Sequence, residues 1–186
     1  MRDGIRMTLT LVIVCLIAGI SLAFVHGQTA PVIAAQEAQA LKDGLAKVVP
    51  GAASFEPVLI GDHAVVRDAW RALGADGKQV GVVIEAAPGG YGGPIRMLVG
   101  VAPDGKLIKV EILSASGETP GLGSKAVEPS FVKQYEGLQQ GIALVKGRAP
   151  KGNEVQAITG ATISSKAVTD GINAALEAAA KLTEGK

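Results

Sequence analysis

The hydrophobic pattern of this chain changes character twice along its length. Residues 7–25 have no polar face: the run is uncharged and mostly apolar, about long enough to cross a bilayer core as one helix. Pro31 interrupts the pattern. Residues 36–49 then carry Ala38, Leu41, Leu45 and Val48 at the spacing of one helix face, and Pro50-Gly51 ends that helix. From residue 65 to 113 the period shortens toward two, which predicts a meander of strands. Ala75-Asp76-Gly77-Lys78 and Pro103-Asp104-Gly105-Lys106 read as Asp-Gly hairpin turns between apolar runs. Residues 107–113 alternate, with Ile108, Val110 and Ile112 on one face and Lys109 and Glu111 on the other. Residues 80–87 and 95–102 are rich in β-branched side chains. The Gly-rich stretch 88–94 between them is longer than a plain hairpin requires. A short helix is expected from Pro129, with Phe131 and Tyr135 facing inward, and residues 142–145 and 155–158 offer further strands. The last element, residues 164–182, places Val168, Ile172, Ala175, Leu176 and Ala179 on one helical face. The expected fold class is α+β: one N-terminal transmembrane helix, then an antiparallel sheet with helices packed against it.

Composition narrows the function. A length of 186 residues suits one anchor and one globular domain. Lys plus Arg, 18, nearly cancels Asp plus Glu, 17, so no basic footprint for nucleic acid exists; aromatics at 3% also argue against a base-stacking surface. One cysteine and two histidines exclude a disulfide framework, a Cys-ligated iron–sulfur cluster and a zinc finger within one chain. Electron chemistry would therefore need an organic cofactor, and a flavin fits. Arg2 and Arg6 precede the apolar run and the next positive side chain is Lys42, which puts residues 1–6 in the cytoplasm and everything after His26 outside. The rival is a cleaved signal peptide, but Val25-His26-Gly27 is a poor cleavage site and Cys15 lacks the residues of a lipobox. The expected organisation is a cytoplasmic end (1–6), a transmembrane helix (7–25), a juxtamembrane helix (26–50) and an extracytoplasmic domain (51–186).

The richest chemistry lies in Ile158-Thr159-Gly160-Ala161-Thr162-Ile163-Ser164-Ser165. Small residues, Gly160 and Ala161, leave room beside the Thr162 hydroxyl. The helix that follows offers unpaired N–H groups and the positive end of its dipole, a seat for a phosphate. Ser164, Ser165 and Lys166 are further donors nearby. The plain alternative is a helix-start turn with Ser164 or Ser165 as its N-cap, and both can hold at once. Hydroxyl-based hydrolysis needs a base, and only His26 and His63 exist, one at the membrane edge and one in the turn-like Gly61-Asp62-His63. Glu118-Thr119-Pro120-Gly121-Leu122-Gly123 contains a Thr-Pro-Gly turn; a surface turn explains Pro120 and Gly121 but not Gly123. In Gly90-Tyr91-Gly92-Gly93-Pro94-Ile95, Tyr91 is the one large side chain near the glycines, either a ring-packing group or a partner-facing one. That string is no dinucleotide fingerprint, because no βαβ unit follows. Trp70 reads as core.

Taken in order, these three motifs resemble those of the FMN-carrying G subunit of the Rnf electron transport complex, a relative of the C subunit of the sodium-translocating NADH:quinone reductase. The resemblance runs over nearly the whole chain. It implies FMN joined covalently through its phosphate to Thr162 by a flavin transferase. It also implies Gly160, Ala161, Ser164 and Ser165 around the attachment point, with the loop of Glu118, Thr119, Gly121, Leu122 and Gly123 beside the flavin. Glu118 and Thr119 would then bond its ring or ribityl chain, and Tyr91 would pack on the ring edge. Function by resemblance is electron carriage within a membrane complex that couples ferredoxin and NAD chemistry to sodium or proton transport, with the other membrane subunits as partners. The alternatives are the quinone reductase C subunit and a membrane-anchored assembly module without flavin. The sequence departs from the family at one place: six residues before Thr162 stands Gln156 where an Asp is usual, and the nearest carboxylate is Glu154.

Overall fold

The computed structural model describes residues 2–61 and 63–184. Met1, Asp62, Gly185 and Lys186 lie outside the described residues, and with them part of the expected cytoplasmic end, the centre of the Gly61-Asp62-His63 turn and the last two positions of the expected domain. The chain forms two compact units, the first ending at Ala40 and the second beginning at Leu41.

The first unit is the greater part of helix α1 (Arg2–Val48). Its most apolar window has a mean hydropathy of 2.6, and among the described residues this is the one helix long and apolar enough to cross a membrane. The hydroxyls of Thr8, Thr10 and Ser21 each bond a carbonyl one turn back, at 3.0, 2.9 and 2.8 Å, so none faces outward as an unpaired donor. The sequence predicts a break at Pro31, but α1 runs straight through it. Proline removes one N–H from the ladder. Just before it, the Thr29 hydroxyl adds bonds to the carbonyls of Val25 and His26, at 3.0 and 3.3 Å. Separate transmembrane and juxtamembrane helices are thus replaced by one continuous helix.

The second unit begins with the last turns of α1, ten residues before the expected boundary at residue 51. Five strands follow as an antiparallel meander in the order β1-β2-β3-β4-β5: β1 (Ser54–Val58), β2 (Val66–Leu73), β3 (Gln79–Ala86), β4 (Arg96–Val101) and β5 (Leu107–Ser114). Both Asp-Gly turns close hairpins as predicted, with Gly74 N–H donating to Lys78 C=O and Ala102 N–H to Lys106 C=O, each at 2.8 Å. Strand β1 escapes the sequence reading because Pro57 sits inside it, which an edge strand tolerates.

Apolar residues fill both sheet faces. One face, with Val82, Ile84, Met97, Val99 and Val110, packs against α3 (Thr162–Glu184) through Val168, Ile172, Ala175, Leu176 and Ala179. Each buried Val, Leu, Ile or Met side chain here contributes roughly 1.5–3 kcal/mol. The other face, with Val83 and Leu98, is covered by Leu41, Leu45, Val48 and Val49, while Ala38 is exposed. Trp70 packs here, half-buried. Ile108 also falls on this face, opposite to Val110 and Ile112. The strict alternation expected for β5 fails because the β4–β5 register shifts between Gly100 and Val101, and such a bulge turns the neighbouring side chain over.

After β5 the chain makes a tight turn and a 3-10 helix (Gly123–Val127), then the short α2 (Pro129–Val132), with Pro129 at its start as predicted. Phe131 and Tyr135 are buried edge-to-face, ring centroids 5.5 Å apart. The strands β6 (Ala143–Val145) and β7 (Glu154–Gln156) form a separate parallel pair. From β7 the chain enters α3, whose first turn is held against the turn after β5 by the Ser164–Glu118 hydrogen bond.

Candidate functional site

Residues 158–161 form the turn that launches α3. Ala161 N–H donates to Ile158 C=O at 3.0 Å, and Gly160 holds the positive φ, +80°, that the third position of a type II turn requires. Helix α3 starts at Thr162, two residues earlier than the pattern predicts, because Ala161 C=O already accepts Ser165 N–H at 2.9 Å. Ala161 is thus the residue that begins the helix, and neither Ser164 nor Ser165 is its N-cap. As the first three helical residues, Thr162, Ile163 and Ser164 have no intrahelical acceptor for their N–H groups.

The two serines have other work. The Ser165 hydroxyl is fully buried; it accepts Ile158 N–H and donates to Ala161 C=O, both at 2.9 Å, which ties the turn to the helix. Ser164, also buried, donates its proton to Glu118 Oε2 at 2.6 Å. Lys166 is paired with Asp170 on the outer face of α3. None of these three side chains serves as the free phosphate donor that the sequence suggests. What remains there for an anion is the set of backbone N–H groups and the helix dipole.

The second wall comes from the Glu118 motif. Thr119 C=O accepts Leu122 N–H at 3.1 Å across Pro120 and Gly121, a type II turn with Gly121 at φ +76°. Glu118 itself points inward and is 5% exposed. Its Oε1 accepts Tyr91 N–H at 2.7 Å and its Oε2 accepts the Ser164 hydroxyl. Both Glu118 oxygens are thus engaged within the protein, while the residue still lines the cleft. Gly90 and Gly123 are glycines for the same reason: a Cβ on either would overlap a carboxylate oxygen of Glu118. This answers what a surface turn left open at Gly123.

These segments enclose a cleft of about 540 Å³ with Thr162 in its lining, half-buried, beside Gly160, Ala161 and Gly123. Three large apolar side chains stand exposed around it: Tyr91 (69%), Leu122 (43%) and Ile163 (56%). Thr119 completes the wall. Of the predicted site residues, Tyr91, Glu118, Thr119, Leu122, Gly123, Gly160, Ala161, Thr162 and Ser164 all line this one cleft; Gly121 and Ser165 do not. Ile163, also in the lining, is absent from the residues that the motifs single out. Its signal was available, since it is a bulky apolar residue among small ones, off the buried stripe of α3.

An FMN-like group fits these residues. The volume lies within the usual range of ligand sites, about 300–1,000 Å³, the exposed apolar side chains suit a flat ring, and the free N–H groups at Thr162 suit a phosphate. His63 lies beside Lys181 and Leu182, about 28 Å along α3 from Thr162. Gln156 lies outside the cleft with its N–H on Gln134 Oε1 at 2.8 Å. Glu154 is bound by Arg148 at 2.6 and 2.7 Å and by Lys151 N–H at 2.9 Å, which holds its carboxyl below the ordinary range.

Comparison with known proteins gives first the class. Residues 90–177 match the model of the FMN-binding domain, and residues 2–48 match that of the RnfG N-terminal region. The chain is 39% identical over 180 residues to the G subunit of the proton-translocating ferredoxin:NAD(+) oxidoreductase complex of Clostridium ljungdahlii, covering 96% of this chain and 93% of that protein. It is 33% identical to the G subunit of the Na(+)-translocating ferredoxin:NAD(+) oxidoreductase complex of Acetobacterium woodii, covering 92% and 89%. The crystal structure of Shewanella oneidensis NqrC has the same fold, with a TM-score of 0.57 at 21% identity over 73% of each chain. The C subunit of the Na(+)-translocating NADH-quinone reductase of Parabacteroides distasonis gives 0.56 at 21% identity, over 73% of this chain and 79% of that one. The chain belongs to the G-subunit family of ion-translocating ferredoxin:NAD(+) oxidoreductase (Rnf) complexes.

Proposed function

We propose that this chain is an electron-carrying subunit of a membrane complex that couples ferredoxin and NAD redox chemistry to ion transport, and that it carries FMN joined through its phosphate to Thr162. The observation that supports this most is the cleft itself, where Thr162 lines the wall together with three unpaired helix N–H groups and the exposed side chains of Tyr91, Leu122 and Ile163. FMN supplies the electron-accepting and electron-donating chemistry when bound. Thr162 would be the attachment point, its Oγ1 esterified to the phosphate of the flavin. Ile163, Leu122 and Tyr91 keep water from the ring, and Thr119 offers it a hydrogen bond. A flavin transferase makes the bond, and on this segment it meets Gln156 in place of the usual Asp, with Glu154 as the nearest carboxylate.

Residues 7–25 span the membrane, with residues 1–6 in the cytoplasm and the cleft outside; Arg2 and Arg6 support this orientation. Such a span carries no charge, so ion passage belongs to the other subunits. The C subunit of a quinone reductase remains the weaker reading, because its likeness is one of fold at 21% identity while the G-subunit match extends through α1. The test is expression of the full chain with a flavin transferase. Flavin fluorescence that survives a denaturing gel in the wild type and disappears in Thr162→Ala is expected. A wild-type band without fluorescence would leave an assembly module as the better description.

A further inference from the structure

Glu118 faces the cleft from behind its backbone, where none of the roles given so far uses its charge. The carboxylate is 5% exposed and forms no ion pair among the described residues. Its oxygens are held instead by neutral donors, Tyr91 N–H at 2.7 Å and the Ser164 hydroxyl at 2.6 Å. Gly90 and Gly123 bring backbone so near that no side chain intervenes. A negative charge is thus fixed in the cleft wall, next to the first turn of α3, and screened by little water. From this geometry, and resting on the flavin reading above, we infer that Glu118 is a positioning residue that sets the reduction potential of the bound flavin through its charge.

The physics gives a sign. In a poorly polarisable wall, a fixed negative charge disfavours further negative charge nearby, and reduction adds electrons to the flavin. Glu118 therefore holds the potential down, while the amide and hydroxyl that hold it moderate the effect. Two substitutions separate charge from shape. Glu118→Gln keeps both bonds, because its carbonyl oxygen accepts Tyr91 N–H and its amide donates to Ser164 Oγ, but it removes the charge. Ser164→Ala keeps the charge and removes one donor that moderates it.

The experiment is dye-equilibrated redox titration of the full-length, FMN-loaded chain and of both variants, with covalent FMN per chain and urea unfolding of the unloaded chains measured in parallel. Glu118→Gln is expected to shift the equilibrium toward reduced flavin by at least tenfold, about 30 mV for two electrons. Ser164→Ala is expected to shift it the opposite way. Opposite signs are the signature of a charge, since mere loosening of the cleft acts in one direction on both variants. An unmoved potential in Glu118→Gln, or shifts of the same sign, would overturn the inference. Should Glu118→Gln fail to load, Ser164→Ala decides alone: a lower potential supports the inference and an equal or higher one overturns it. A wild-type chain without flavin would instead refute the reading of the cleft itself.

Discussion

Gly123→Ala tests whether the cleft is built around the Glu118 carboxylate. The added Cβ would overlap Glu118 Oε2 and sit 2.6 Å from Ser164 Oγ. Glu118 can move aside only by giving up Tyr91 N–H or the Ser164 hydroxyl. One charge-assisted hydrogen bond is worth about 1.5–3 kcal/mol, and forcing a methyl into packed surroundings costs about 1–3 kcal/mol. Replacing glycine stiffens the unfolded chain and returns about 0.4–1 kcal/mol. The net expectation is a loss of about 1.5–5.5 kcal/mol, or roughly 5–16 °C in Tm for a domain of this size. Gly121→Ala is the control. Its Cβ meets nothing within 4 Å, but its φ of +76° strains any side chain, at a cost of about 1–2 kcal/mol. Trp70, the single tryptophan, reports unfolding of the second unit by fluorescence in the full-length, unloaded chain. A Gly123→Ala midpoint within about 1 °C of wild type, or a larger loss in Gly121→Ala, would refute the reasoning.

Thr169 donates to Ser165 C=O at 2.9 Å, so the buried Tyr135 hydroxyl donates to Thr169 Oγ1 at 2.8 Å, and burial pushes the phenol pKa far above its usual range. Thr169→Val strands that hydroxyl and is expected to cost about 1–3 kcal/mol, more than Tyr135→Phe, in urea unfolding; the reverse order would contradict the assignment. Glu154 titrates below its ordinary 4.5 because of Arg148 and then Lys151 N–H. Its contribution to stability is fully present above that value and is lost as pH falls through the depressed one. A carboxyl NMR titration should therefore show the Glu154 midpoint rising in Arg148→Gln, and an unmoved midpoint would sink the claim. For topology, Leu59→Cys, at a position 99% exposed, should react with an impermeant thiol reagent applied outside intact cells, and Asp3→Cys should not. The reverse pattern would place the cleft in the cytoplasm.

Local chemistry made much of this structure legible. Two Asp-Gly turns, Pro129 with Phe131 and Tyr135, and the apolar stripe of α3 each carry their signal within a few residues, and each is found where the pattern puts it. The three motifs converge on one cleft as expected. What the sequence hid depends on contacts between distant segments. Ile108 changes face because of a register shift against Gly100 and Val101, which nothing in residues 107–113 marks. Glu118 turns inward because Tyr91 and Ser164, 27 and 46 residues away, supply its donors. Ser164 and Ser165 have the chemistry of N-caps, but Glu118 draws the Ser164 hydroxyl, Ile158 N–H and Ala161 C=O engage that of Ser165, and Ala161 begins the helix. Pro31 misled for another reason: a helix this long absorbs one missing bond.

Peptide mass spectrometry bears most directly on Thr162 as the flavin's attachment point. The full chain is made with a flavin transferase, digested, and the peptide containing Thr162 is weighed and fragmented. The expected result is that peptide plus one FMN less one water, with the added mass on Thr162, present in Ser165→Ala and absent in Thr162→Ala. An FMN adduct that persists in Thr162→Ala, or fragments to another residue, would contradict it.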